Sequence, residues 1–181
     1  MKKIKNHYFS CRRYAQILVC CLLISITARA ADPVAFSNEA LVGPTVIDIG
    51  DLSEDATYVF FFNALKGGVS TALAGNDTFG LKLEQWNETG FFGVTEFGVM
   101  DHVFEPDGSG EPKSIFEEDV HAAFVNDFAN EEVRLYLNGQ LSGYYVGNFE
   151  LFGEVKVMAA RVAAEADAMG SGSILYSWAT Y

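Results

Sequence analysis

From Thr57 to Tyr181 the chain alternates between short apolar or period-two runs and clusters of turn residues, the rhythm of a protein built from many strands. Tyr58-Val59-Phe60-Phe61-Phe62 is β-branched and aromatic throughout. Lys66-Gly67-Gly68 breaks that run, Val69 to Ala74 resumes it, and Gly75-Asn76-Asp77 turns the chain. Next, Phe79, Leu81, Leu83 and Gln85 fall on one face of a strand, with Gly80, Lys82, Glu84 and Trp86 on the other. Such alternation marks a strand with one face buried. Asn87-Glu88-Thr89-Gly90 reads as the turn into Phe91 to Phe97, and Gly98 to Phe104 as a further strand. Glu105 to Lys113 is a Pro- and Gly-containing loop.

Val120 to Val125 is apolar, and Asn126-Asp127 begins a turn toward Glu132. Val133, Leu135 and Leu137 then alternate with Arg134 and Tyr136 and run directly into Asn138-Gly139, the pair best suited to the positive φ angles of a type I′ hairpin. Leu141 to Val146 is the returning strand. Gly153 to Ala160 and Ile174 to Tyr181 supply two more, and Arg161 to Met169 between them reads as loop with one helical turn. Residues 31–56 are mostly a loop-like lead-in, with Val46 to Ile49 as an edge strand. About nine or ten strands at this spacing predict an all-β fold, a two-sheet antiparallel β-sandwich.

Residues 1–30 carry a different pattern: a basic and polar stretch to residue 16, the ten-residue apolar run Ile17 to Ile26, then Ala28-Arg29-Ala30 with small-x-small spacing. This is the pattern of a secretory signal peptide cleaved near Ala30, which places the mature chain outside the cell or on its surface. Arg12-Arg13 lacks the flanks of a twin-arginine signal, favouring the general secretory route. The apolar run is shorter than the ~20 residues of a membrane span, and no later stretch approaches that length. Cys11, Cys20 and Cys21, the three cysteines of the chain, all lie in this segment, so the mature part has no thiol chemistry.

Charge narrows the function classes. Residues 31–181 hold 24 acids against 6 bases, net −18, which disfavours nucleic acid as a partner because that affinity comes mostly from Lys and Arg. No Gly-x-Ser-x-Gly element, His-Glu-x-x-His pair or phosphate loop is present.

Three pieces in order carry a family resemblance: His121-Ala122-Ala123-Phe124-Val125, Val133-Arg134-Leu135-Tyr136-Leu137-Asn138-Gly139, and Gly153-Glu154-Val155-Lys156-Val157. With Leu81 to Phe104 as earlier strands, residues 57–181 resemble a laminin G-like domain of the concanavalin A-like lectin and glucanase superfamily, bacterial secreted type. The resemblance implies a concanavalin A-like jelly roll. It departs from the family where Asp119-Val120 stands in place of a Trp close before the histidine. Family members also run on past the strand matching Gly172 to Tyr181, which implies a frame truncated at Tyr181 and room for a C-terminal anchor beyond it.

The candidate chemistry is sparse. Hydrolases of the superfamily place paired carboxylates on one strand face as Glu-x-Asp-x-Glu or Glu-x-Asp-x-x-Glu. Here Glu117-Glu118-Asp119 is followed by His121 or Ala122 at the third position, so the pattern fails. His121 matches the family's structural histidine, with a core or interface role. His102 and Asp101, adjacent on a strand, face opposite ways and make no dyad. The resemblance brings calcium into question, with Asp101, Asn126 and Asp127 beside predicted turns as candidate ligands. Trp86 at a hairpin end, and whichever of Tyr144 and Tyr145 faces outward, are candidate sugar-stacking residues. Asn76-Asp77-Thr78 and Asn87-Glu88-Thr89 fit glycosylation sequons. The expected function is a non-catalytic extracellular carbohydrate- or protein-binding module for adhesion or recognition, its partner an extracellular glycan or glycoprotein. The alternatives are a glycoside hydrolase relative and a structural spacer of a surface or matrix protein.

Overall fold

In a computed structural model, residues 31–52, 55–65, 71–84, 91–104, 115–147, 149–159 and 172–181 are described. The signal segment, Trp86, the loop 105–113 and the stretch 161–169 therefore lie outside the described residues, as does the sequon at Asn87. The strands are β1 (Ala35–Ser37), β2 (Leu41–Val42), β3 (Thr45–Asp48), β4 (Ala56–Asn63), β5 (Thr71–Gly75), β6 (Phe79–Glu84), β7 (Gly93–Glu96), β8 (Met100–Val103), β9 (Asp119–Asp127), β10 (Glu132–Leu137), β11 (Gln140–Val146), β12 (Glu154–Ala159) and β13 (Ile174–Thr180). Sheet A has the order β1-β13-β4-β9-β10-β11, with β2 also on β13; sheet B has the order β3-β12-β5-β6-β7-β8. Every pair within them is antiparallel.

Period-two burial sets the layers. On β4, Tyr58, Phe60 and Phe62 are buried while Val59 and Phe61 are half-buried on the other face. On β9, Val120, Ala122 and Phe124 point the same way as the buried row of β4, because Phe60 pairs with Ala122 and Phe62 with Val120. Sheet B answers with Leu81, Leu83, Val94, Val155 and Val157. Aromatic rings bridge the layers: Phe149 meets Tyr58 at 6.1 Å and Phe79 at 5.3 Å, while Phe92 and Phe104 reach Phe124 at 6.0 and 6.2 Å. Aromatic pairs at such separations add to the apolar area they bury.

Three polar side chains inside this core are tied to backbone. The Tyr58 hydroxyl donates to the Leu151 carbonyl at 2.8 Å, Asn126 Nδ2 to the Phe149 carbonyl at 2.7 Å, and the Thr180 hydroxyl to the Ile49 carbonyl at 2.7 Å. These bonds hold the 149–151 segment and the end of β3 against the sandwich. Leaving a buried polar group without a partner costs more than the bond itself contributes.

The lead-in holds the expected edge strand, β3 at the rim of sheet B, and also two short strands, β1 and β2, where the sequence reads as loop. Residues 31–56 hold three strands before β4 begins, with β1 and β2 paired to β13 and β3 paired to β12. These three strands belong to the compact unit Asp32–Tyr181. The Asn138-Gly139 turn forms as its chemistry predicts, with φ of 50° and 79°. Asn138 does a second job: its N–H donates to the His121 carbonyl at 2.8 Å, and its Oδ1 accepts from the His121 N–H at 2.9 Å.

Two variants test these ties by chemical denaturation. Tyr58→Phe is expected to cost about 1–2 kcal/mol, since the Leu151 carbonyl loses its buried donor. Burial raises the Tyr58 pKa above its ordinary 10.0, so its stabilising share is full below pH 10 and lost as pH rises beyond. Wild type should therefore lose more stability above pH 10 than Tyr58→Phe does; equal slopes would contradict this. Asn138→Ala is expected to cost about 1–2 kcal/mol, from a left-handed backbone without a favourable side chain and a lost acceptor for His121.

Candidate functional site

The outward face of sheet A is where side chains unneeded for the core collect. The same register that buries Phe60 turns Phe61 outward, directly opposite His121 on β9. The two rings stack with centroids 4.2 Å apart and planes 10° from parallel. His121 is exposed rather than a core histidine. A register shift in β13 between Leu175 and Ser177 adds Tyr176 to this face, its ring centroid 4.9 Å from that of Phe61. The Tyr176 hydroxyl donates to Asp119 Oδ1 at 3.3 Å, and Asn63 Nδ2 donates to the same oxygen at 2.9 Å. Desolvation by its neighbours, with the Asp119 charge second, holds the Tyr176 pKa above the usual tyrosine range.

Beside these rings lies a cleft of about 200 Å³. Val59 and Ala179, cross-strand partners, lie on its outward face between β4 and β13. Its rings come from Phe36, Phe61, His121 and Tyr181, and its polar groups from Asn38, Ser177 and His121. Phe36 on β1 sits opposite Ala179 and is 62% exposed. Two backbone bonds with Thr57, of 2.9 and 3.0 Å, hold Tyr181 in place. Trp178 also borders the cleft, and its buried Nε1 has no hydrogen-bond partner among the described residues. Among the described residues lining the cleft, none is Lys, Arg, Asp or Glu.

Farther along the same face, Arg134 on β10 reaches Asp127 at 3.2 Å through Nη2 and bonds Glu132 through Nε. Next to it on β11 stands Tyr144, 60% exposed and paired with Arg134. Of the two candidate tyrosines, Tyr144 is the outward one. Tyr145 packs on the core, its ring 4.9 Å from that of His102, and lies so close over Gly147 that a Cβ there would collide with it.

The candidate calcium ligands are not brought together. Asp101 lies on β8 in sheet B, where it accepts from Thr95 and pairs with Lys82 at 3.3 Å. Asn126 and Asp127 lie on β9 in sheet A and, as consecutive strand residues, face opposite sides: Asn126 is buried inward and Asp127 is half-buried outward. Asp127 caps a short 3-10 turn, accepting from Asn130 N at 3.2 Å and Asn130 Nδ2 at 3.0 Å. Among the described residues no three His, Cys, Asp or Glu side chains gather as metal ligands. Asp101 and His102 do face opposite ways, the latter against Phe104 and Tyr145. The sequon residue Asn76 uses its Oδ1 to accept from Thr78 N at 2.8 Å and Phe79 N at 2.9 Å.

Sequence reasoning missed Phe36, Phe61 and Tyr181. For Phe61 the missing signal was period, since five consecutive apolar residues give neither face away. Phe36 lies in a stretch whose composition reads as loop, and Tyr181 reads as the end of a strand.

No protein-family model matches this sequence, and no curated protein matches it. In shape the chain is similar to the Ruminococcus gnavus IT-sialidase CBM40 bound to α2,3 sialyllactose, with TM-score 0.58 and 16% identity over 83% of this chain and 92% of that one. It is also similar to part of the K499G mutant of NanB sialidase from Streptococcus pneumoniae, with TM-score 0.57, 15% identity, and coverage of 83% of this chain and 26% of that one. A leech intramolecular trans-sialidase gives TM-score 0.54 and 14% identity, covering 82% of this chain and 26% of that one. The chain thus spans about a quarter of the length of these two sialidases, at 26% of each. The fold is a concanavalin A-like jelly roll. Among the described residues, no helix is long and apolar enough to cross a membrane.

The electrostatics of the face are testable by acid unfolding. Hydrogen bonds from the Asn130 side chain, then its backbone, and the Arg134 charge hold the Asp127 pKa below its ordinary 3.8. A depressed carboxylate stabilises the fold above 3.8 and loses that contribution as pH falls through the lower folded value. Asp127→Asn should therefore be less stable than wild type at pH 6, with the difference shrinking toward pH 2. A constant difference across that range would contradict the assignment.

Proposed function

We propose that this chain is a non-catalytic, secreted or surface-displayed glycan-binding module of the laminin G-like type, acting after removal of residues 1–30, with the sheet A cleft as its sugar site. The observation that carries the reading is the cleft itself. It combines aromatic rings, on which the C–H face of a sugar packs, with Asn38, Ser177 and His121 as hydrogen-bonding groups. At about 200 Å³ it is smaller than the ~300 Å³ at which pockets for larger organic ligands begin, so it suits one terminal sugar ring. The likeness in shape to a sialidase CBM40 supports the same reading at the level of fold.

The non-catalytic assignment rests on how the acids near the site are used. Asp119 is engaged by Asn63 and Tyr176, and Glu117 sits in a turn with φ of 66°. His121 stands where a second strand carboxylate would be needed, and it is stacked on Phe61. Neither arrangement offers the facing pair of carboxyl groups that glycoside hydrolysis uses.

A glycan array probed with the purified protein tests the reading. Specific, saturable binding to one group of glycans is expected, weakened at least tenfold by Phe61→Ala and unchanged by Val46→Ala, a distant exposed position on β3 of sheet B. Absence of any specific binding, or hydrolysis of a bound glycan, would overturn it.

A further inference from the structure

Resting on that reading, we infer that the sheet A cleft selects an uncharged pyranose and rejects sugars that carry a carboxylate. The argument concerns charge at the site and around it. Among the described residues lining the cleft there is no Lys or Arg to receive an anion. The described cations are committed or placed elsewhere. Lys82 is ion-paired with Asp101 on sheet B, and its Nζ lies 5.8 Å from the centroid of the Phe97 ring. Arg134 is held by Asp127 and Glu132 beyond β9. Lys156 stands on β12 of sheet B, opposite Val46 and Gly75.

A carboxylate entering the cleft would shed water against aromatic rings without gaining a partner charge. It would also approach Asp119, two residues from the cleft's His121 on the same face of β9, and a domain whose residues 31–181 carry net −18. A neutral ring meets none of these penalties. Its C–H face packs on the exposed rings of Phe36 and Tyr181 beside Phe61, and its hydroxyls exchange water for Asn38, Ser177 and His121, groups that donate and accept in either direction. Charge therefore sets the ligand class here, and ring packing sets the affinity.

Matched pairs of methyl glycosides test this directly: glucose, galactose and mannose against glucuronic, galacturonic and mannuronic acids, each pair differing only in the carboxylate at C6. Binding of each to the purified protein is measured by calorimetry or by protein NMR in dilute buffer at neutral pH, with Phe61→Ala and His121→Ala as site variants. At least one neutral sugar is expected to bind, with affinity reduced tenfold or more by either variant, and its uronic partner at least tenfold more weakly. A uronic acid binding as tightly as its neutral partner, with the same dependence on Phe61 and His121, would overturn the inference while leaving glycan binding standing. Binding indifferent to both variants would remove the cleft as the site. No binding by any sugar of the panel would overturn the inference, and a blank glycan array alongside it would remove the broader reading as well. His121→Ala changes an exposed side chain, so it keeps the test valid should Phe61→Ala prove unstable.

Discussion

The register of β4 against β9 is the constraint on which the rest of this molecule depends. Because strand side chains alternate, a slip of one residue would exchange every inward group for an outward one. The pairing of Phe60 with Ala122 and of Phe61 with His121 fixes the choice. On one side it presents Tyr58, Phe60, Phe62 and Phe124 to the rings of Phe92, Phe104 and Phe149, which close the sandwich. On the other it leaves Phe61, half-buried, stacked on the exposed His121 on the outer face of sheet A. Core and candidate site are two faces of the same pairing.

Polar bonds then sharpen what apolar burial only outlines. Asn138 closes the β10–β11 hairpin and also continues the ladder to His121, so the turn stiffens the strand that carries the site histidine. β13 serves in the same double way. Leu175, Trp178 and Thr180 point inward, while the irregularity before Ser177 adds Tyr176 to the outer face. Sheet B has a different character, with Lys82, Thr95 and Asp101 locked to one another across β6, β7 and β8. The acidity of the domain leaves its few described bases largely neutralised by neighbours.

Much of this architecture was legible before any coordinates. Strong period-two segments such as Phe79 to Leu83 and Val133 to Leu137 named both their strands and their buried faces. The Asn-Gly pair named its turn, and adjacency alone separated Asp101 from His102 and Tyr144 from Tyr145. Other features were hidden for physical reasons. The run Tyr58 to Phe62 is apolar at every position, so nothing local says that Phe61 faces out. β1 and β2 are three and two residues long and owe their existence to β13, far along the chain. Proximity to turns suggested a shared metal site for Asp101, Asn126 and Asp127, but turn composition carries no information about which sheet a residue joins.

The most direct measurement is NMR mapping of a bound glycan onto the two outward faces, using side-chain signals of Phe61, His121 and Tyr176 for sheet A and of Lys82, Thr95 and Lys156 for sheet B. The account predicts that a ligand shifts the sheet A signals in a saturable way and leaves those of sheet B unmoved. Shifts confined to sheet B would contradict it.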